Sequence, residues 1–460
     1  MPDNNSLIRS EILRQAAERE SVVKQVEQEN IIPTDDEQKY VSEIIKHVAD
    51  VFSADFKTYG VDDPNLKARV EKYVARAVSQ LDIEFISQER IKKVVMMTAF
   101  GYGPLTPLID DDSISEIIVE GFDHIVVDRN GRIEETGITF TNEEQMMTIV
   151  QRIVQSANRQ LNMSSPIVDA ELKDGSRVNA VIAPVAKVPS LNIRKFKKDM
   201  MDANSYIRSG TIDVTEMAFL KRVVAGKANI FVMGGTSTGK TTLLNILSSF
   251  IGTDELIVTI EDTFELQLNQ PNVRNFRTRE SDDNGLDNIT QSKLLKAALR
   301  QRPDRIIQGE ARDGSIFDMI DAMSTGHEGS MGTIHANNPQ HMCNVRIPNL
   351  FRLTGMDFND EEIANLIVDA IEIIVHLKRY PDGRRRVQTI SYVDGLREED
   401  KRVNVVDIYR YDAVKDEFYC TGNIPYKIIE KARDNGVYIP ESLFKTSRKE
   451  EAQSSEVPTV

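Results

Sequence analysis

Gly234-Gly235-Thr236-Ser237-Thr238-Gly239-Lys240-Thr241 is a run of residue types able to enclose a phosphate. It fits the spacing G-x-x-x-x-G-K-S/T. Glycines let backbone N–H groups close around phosphate oxygens, and a following helix adds the partial positive charge of its N-terminus. Lys240 would reach the β/γ-phosphates and the Thr241 hydroxyl would sit on Mg²⁺. With Thr242, residues Gly234, Gly235, Thr236, Ser237, Thr238, Gly239, Lys240, Thr241 and Thr242 form the expected nucleotide-binding set. Two apolar runs downstream end in acids: Leu256–Ile260 leads into Glu261-Asp262, and Arg305–Gly309 into Glu310. Mg²⁺ needs only one or two carboxylates besides phosphate and water, and an attacking water needs an acceptor. Glu261 and Glu310 can supply both, with Glu310 in the place of a Walker-B acid and a metal ligand beside Thr241. His327 and His335, two of six histidines, lie in polar, glycine-lined settings and read as a phosphate-facing pair. A lone histidine is more often structural.

Those residues need elements to hold them. Asn229–Met233 reads as a buried parallel strand, and Thr242–Leu247 as a helix. Strands alternate with helices beyond it, as a parallel βαβ sheet requires, and strand-end acids in such a sheet point at the ligand crevice. Arg274, Arg277 and Arg279 lie close together downstream, and a solvated strand edge suits them as well as a phosphate contact. Upstream, Ile114–Val119, His124–Asp128, Arg177–Ile182 and Leu191–Ile193 read as strands of an α+β domain. Asn130-Gly131 signals a hairpin turn, and Thr141 with Glu144 a capping box for a helix burying Met146, Ile149, Val150, Ile153 and Val154. Arg177 and Arg194 stand at strand ends there, and a solvated surface arginine is the default for each. Further upstream the apolar spacing is helical: Tyr40, Val41, Ile44, Ile45, Val48, Val51 and Phe52 share one face, and Leu66, Val70, Tyr73, Val74, Ala77 and Leu81 another. The expected organisation is a mobile or loosely helical segment at 1–35, a helical bundle at 36–100, an α+β domain at 101–196, a linker at 197–214, a P-loop domain at 215–445 and a disordered tail at 446–460.

A chain of 460 residues calls for two or three domains. Its formal net charge of −15 argues against a general nucleic-acid binder. Cys343 and Cys420 are too few and too far apart for a disulfide framework or a tetracysteine zinc site, which fits a reducing cytoplasm. No apolar run reaches the length of a membrane span, so any membrane role is expected to go through partners.

The chain resembles the type II/IV secretion ATPase superfamily, and within it the CpaF/TadA-type branch that drives Tad/Flp pilus assembly. The resemblance runs from about Gly101 to Leu396. It rests on Gly101-Tyr102-Gly103-Pro104-Leu105, Ile114-Ser115-Glu116-Ile117, Asp174-Gly175-Ser176-Arg177-Val178-Asn179 and Ile193-Arg194-Lys195-Phe196. It continues through the phosphate loop, Glu261-Asp262 with Glu265-Leu266, Gly309-Glu310, and Thr333-Ile334-His335-Ala336-Asn337. It implies an α/β fold: a RecA-like P-loop NTPase domain with a mostly parallel sheet, preceded by an α+β PAS-like domain and the helical bundle. It also implies a cytoplasmic homohexamer, peripheral to the inner membrane through platform proteins, that uses ATP and Mg²⁺. Carried over residue by residue, Glu261 and Glu310 would place or activate water, His335 would sense the γ-phosphate, and Arg177 and Arg194 would reach it from the α+β domain. The chain departs from the family at Ser237-Thr238, where Gly-Ser is usual, and at Arg312-Asp313-Gly314-Ser315, where Arg-Gly-x-Glu is usual. A nucleic-acid motor or a nucleotide-gated scaffold in DNA transfer is the alternative, since RecA-like hexamers also serve helicases.

Overall fold

The computed structural model describes residues 19, 21–22 and 33–445, apart from 62, 130, 158, 173, 197–200 and 280–286. The expectations for most of 1–35, for Asn130 of the turn, for Lys197 and Lys198 of the linker and for the tail at 446–460 lie outside the described residues. The chain divides into two compact units that meet at Lys197/Lys198.

The first unit opens with three helices, α1 (Asp35–Tyr59), α2 (Pro64–Ser79) and α3 (Phe85–Phe100). Thr34 and Glu37 close a capping box at the start of α1, while Asp63 caps α2 with Pro64 in its first turn. Val41, Ile44, Val48 and Phe52 pack with Leu66, Val70, Val74 and Val78 and with Ile91 and Val95. Val51, expected on that face, is 56% exposed, because at 100° per residue it falls off the stripe those four α1 residues define.

A six-stranded sheet follows: β1 (Ile114–Glu120), β2 (Ile125–Arg129), β3 (Arg132–Glu135), β4 (Ile167–Glu171), β5 (Arg177–Val181) and β6 (Ser190–Arg194), in the order β3-β2-β1-β6-β5-β4. Every neighbouring pair is antiparallel. Helix α4 (Glu143–Ser156) lays Met146, Ile149, Val150, Ile153 and Val154 on the core made with Ile117, Val178, Leu191 and Ile193. Its cap sits one residue later than the Thr141/Glu144 spacing predicts. Asn142 Oδ1 accepts from Gln145 N at 2.8 Å, and Gln145 Oε1 accepts from Thr141 N at 2.8 Å. Asparagine is as good a cap as threonine, and here it takes the position.

The second unit carries a nine-stranded sheet of order β15-β14-β13-β12-β7-β11-β10-β8-β9. Its strands are β7 (Ile230–Gly234), β8 (Ile257–Glu261), β9 (Val273–Arg277), β10 (Arg305–Ala311), β11 (Met331–Ile334), β12 (Ile373–Arg379), β13 (Arg385–Leu396), β14 (Val403–Asp412) and β15 (Glu417–Cys420). The run from β9 to β12 is parallel, and β13 to β15 are added antiparallel at one side. Strand β7 is buried throughout and splits its side chains between two cores. Ile230 and Val232 join Phe219, Leu220 and Val223 of α5 (Val214–Ala225) and Leu243, Leu244 and Leu247 of α6 (Lys240–Ser248). Phe231 and Met233 join Ile316, Met319 and Ile320 of α7 (Ser315–Ser324) and Ile363 and Ile367 of α8 (Asp360–Ala370) on the other face. Helices on both faces explain the unbroken apolar run that marks β7 in the sequence. Arg274, Arg277 and Arg279 lie along and just beyond β9, the edge strand, where Arg274 bonds Gln301 and the Arg277 guanidinium lies over the Phe264 ring. No described helix is long and apolar enough to cross a membrane.

Candidate functional site

The turn between β7 and α6 is built by three residues with left-handed or related backbone: Gly234 (φ 155°), Ser237 (φ 56°) and Gly239 (φ 94°). A side chain on Gly234 would meet the Leu377 carbonyl oxygen of the neighbouring β12 at 2.4 Å, so only glycine lets the loop leave the sheet there. Gly235 has open space at the same position, its nearest neighbour being 3.9 Å away. Helix α6 starts at Lys240 with no side-chain cap, which leaves its first N–H groups to an outside acceptor. Thr238 donates to the Gly235 carbonyl at 3.0 Å and pins the loop across its width. This uncapped, glycine-lined concavity suits phosphate oxygens.

Strand order then lines up the charged groups. Because β11 lies between β7 and β10, the residues that follow β7, β11 and the end of β10 stand side by side on the carboxyl edge of the sheet. Lys240 Nζ donates to Gly234 O at 3.3 Å and Gly235 O at 2.8 Å, and lies 3.2 Å from His335 Nε2. The same Nε2 lies 2.9 Å from Glu310 Oε1. One ring nitrogen cannot donate to Glu310 and accept from Lys240 together, so the imidazole tautomer decides which contact is a hydrogen bond. Burial, together with the nearby Lys240 charge, lowers the His335 pKa, although Glu310 opposes this. The other Glu310 oxygen accepts from Arg312 Nη2 at 2.7 Å, and Arg312 Nη1 reaches Asp262 at 3.3 Å. Burial alone would raise the Glu310 carboxyl, but the hydrogen bond and charge of Arg312, with His335 and Lys240, outweigh it and hold it below its usual value. The register between β10 and β11 shifts between Gln308 and Ala311, an irregularity that spans Gly309 and Glu310.

Glu261 closes the row differently. It is 2% exposed and accepts from the backbone of Glu265 at 2.9 Å and of Leu266 at 2.8 Å. A side chain on Gly309 would come within 3.1 Å of it, so the glycine before Glu310 makes room for the neighbouring acid. Asp262 accepts from Thr278 and from Gln291, whose own oxygen takes a hydrogen bond from Gln308.

Of the residues singled out in the sequence, Lys240, His335, Glu310 and Glu261 come together with the loop. His327 does not. It precedes β11 whereas His335 follows it, so the strand holds them at opposite edges of the sheet, and His327 Nδ1 lies 3.3 Å from the Ala322 carbonyl. The pairing of the two histidines is therefore corrected to His335 alone. Arg177 and Arg194, in the first unit, are direct partners across β5 and β6; Arg194 is exposed and Arg177 half-buried. Arg312 and Asp262 are site neighbours to which the sequence reading gives no role. Their signal was available: Arg312 is two residues from a strand-end acid and so shares its face. Among the described residues no cluster of three or more His, Cys, Asp or Glu could hold a metal ion.

A phosphate loop on β7, separated by β11 from an acid-ended β10, defines a P-loop nucleotide-binding fold of the RecA-like kind. The chain belongs to the type II/IV secretion system protein family, whose model matches residues 98–450. It is similar to a protein of Mycobacterium tuberculosis provisionally named for conjugal transfer, 32% identical over 70% of this chain and 91% of the relative. It is also similar to the type IV secretion system protein VirB11 of Bartonella henselae, 28% identical over 63% of this chain and 91% of that one. Among solved structures, the VirB11 ATPase of the Brucella suis type IV secretion system, in complex with sulphate, is 25% identical, covers 63% of this chain and 95% of its own, and has a TM-score of 0.34.

Proposed function

We propose that this chain is a secretion-type ATPase. It binds ATP at Gly234–Thr242 and hydrolyses it to ADP and phosphate. A ring of six copies then transmits the cycle to an inner-membrane platform that assembles a Tad/Flp (type IV) pilus or exports protein. The row Lys240, His335, Glu310 and Arg312 across three adjacent strand ends carries the reading. It sets a cation, a neutral or charged imidazole and an ionised carboxylate beside a loop shaped for phosphate. Lys240 and the loop amides hold the β/γ-phosphates. Glu310 and Glu261 place or activate the attacking water, with Glu310 on its proton side, and Glu261 also fixes the turn after β8 through the amides of Glu265 and Leu266. His335 senses the γ-phosphate. Thr241 and Glu310 would hold Mg²⁺, which would supply neutralisation of developing phosphate charge. Arg177 and Arg194 are the proposed arginines for the γ-phosphate, since guanidinium forks match phosphate oxygens and stay charged.

Lys240→Ala tests the chemistry: ATP turnover falls to background while the melting temperature holds. Undiminished turnover ends the P-loop reading. Arg194→Ala is expected to keep ADP affinity and lose most hydrolysis. Light scattering with ATP and Mg²⁺ tests the ring, and a monomer mass at high concentration counts against it. Relatives named for conjugal transfer favour a second reading, a motor or nucleotide-gated scaffold in DNA transfer. The net charge of −15 opposes direct DNA contact. Single-stranded DNA separates the two: it stimulates turnover in the second reading and leaves it unchanged in the first.

A further inference from the structure

Ser237 is the phosphate-loop residue whose conformation its own side chain resists. Its φ of 56° lies in the left-handed region, which disfavours a side-chain-bearing residue by roughly ten-fold in population or more. The loop nevertheless holds it there. The carbonyl oxygen of Ser237 accepts a hydrogen bond from Arg385 Nε at 3.0 Å, and among the described residues that oxygen is the one hydrogen-bond partner of the Arg385 guanidinium. Arg385 opens β13, directly opposite Arg379 at the far end of β12, and β12 pairs with the strand that feeds the loop. The neighbouring Arg386 is committed elsewhere, with its guanidinium over the Tyr411 ring and near Asp416. Arg385 also walls the next turn of the loop. Its Cδ and the Tyr206 hydroxyl each stand 3.7 Å from where a side chain on Gly239 would be.

We propose that Arg385 is a positioning residue for the phosphate loop. It holds Ser237 in the left-handed conformation by anchoring its carbonyl. The proposal rests on the nucleotide reading of the loop. A trans peptide sets C=O and N–H on opposite sides of one plane. Fixing the Ser237 carbonyl toward Arg385 therefore fixes the Thr238 N–H away from it, as a preset donor. Without the anchor the peptide is free to turn, and binding must reorder it. A hydrogen bond from a charged donor is strong enough for that cost to appear as about ten-fold in affinity.

The test compares wild type, Arg385→Ala, Ser237→Gly and the double variant. Glycine adopts the left-handed conformation without penalty, so the anchor matters less once Ser237 is replaced. ADP titration is expected to show about ten-fold weaker binding for Arg385→Ala, and a loss of only two- to three-fold when Arg385→Ala is added to Ser237→Gly. An equal loss in both backgrounds overturns the proposal, because that is the result of a direct phosphate contact or of general charge. No loss at all overturns it too. Amide hydrogen exchange over 234–241 without nucleotide supplies an independent readout. It is expected to speed up in Arg385→Ala while the exchange of β10 and β11 is unchanged, and unaltered exchange in the loop overturns the brace. If wild type binds no nucleotide, the phosphate-loop reading fails, and the exchange comparison still decides the brace.

Discussion

Glu261 ends β8 and Glu310 lies near the end of the adjacent β10, and both strands are parallel with apolar interiors. Yet one carboxylate is sealed at 2% exposure against two backbone amides, while the other stands partly open, gripped by Arg312 and facing His335. The difference comes from the next few residues. After Glu261 the chain turns, and the amides of Glu265 and Leu266 come back to the side chain. After Glu310 the strand continues for one residue, and alternation puts Arg312 on the same face as the acid. The same residue type at neighbouring strand ends thus becomes a fastener of the following turn in one place and a partly open carboxylate held by Arg312 and His335 at the carboxyl edge in the other.

Exchanging each acid for a neutral group sharpens that contrast. Glu310→Gln is expected to lower turnover by about 10²–10⁴-fold, the usual range for a general base, while ADP affinity and melting temperature stay close to wild type. Glu261→Ala is expected to lower stability by about 2–3 kcal/mol, since two backbone N–H groups lose their acceptor in a buried site. Its turnover falls less than that of Glu310→Gln when measured well below its lowered melting temperature. If Glu261→Ala melts like wild type and Glu310→Gln does not, the two roles are reversed.

Arg312→Ala probes the open end in a graded way. Arg312 supplies the largest of the effects that lower the Glu310 carboxyl against its burial. A carboxylate held below its unfolded value of 4.5 stabilises the fold above that pH, and the contribution is lost as pH falls through the folded value. Removing the guanidinium lets burial raise the carboxyl. The acid limb of both stability and turnover is then expected to move to higher pH, with turnover near pH 8 reduced less than in Glu310→Gln. A limb that does not move breaks the claim that Arg312 is what sets Glu310 apart.

Much of the sheet's carboxyl edge is legible in the sequence because its signals are local. The glycine loop, its apolar strand and the strand-end acids are each short runs, and their order implies a parallel sheet. The separate fates of Glu261 and Glu310 were less legible, because they depend on where the backbone goes after each strand. His327 and His335 looked alike in composition and differ only because a strand runs between them. Arg385 carried no signal at all: it lies 148 residues from Ser237 in sequence and reaches it only through the β12–β13 pairing beside β7. The helix cap differs from the sequence reading by a single position, Asn142 for Thr141, which is the margin within which caps trade places.

The smallest expected effect falls on the same edge as Glu310, at a group that contrasts with it. The Tyr206 hydroxyl is buried close to Gly239 and has no hydrogen-bond partner among the described residues. Burial pushes its pKa well above the usual tyrosine value, with the nearby Arg385 charge opposing weakly, so the phenol stays neutral at any working pH. Burying a hydroxyl costs free energy unless a hydrogen bond compensates, and the described residues offer Tyr206 none. Tyr206→Phe removes that cost and keeps the ring that packs in the core with Leu220 and Leu377. Stability is therefore expected to change by less than about 1 kcal/mol, in the favourable direction, with ADP affinity and turnover unchanged. A loss of affinity would mean that the hydroxyl acts at the loop, unlike Glu310, whose exchange for glutamine is expected to spare ADP binding. Thermal melting beside an ADP titration of the single variant separates the two outcomes.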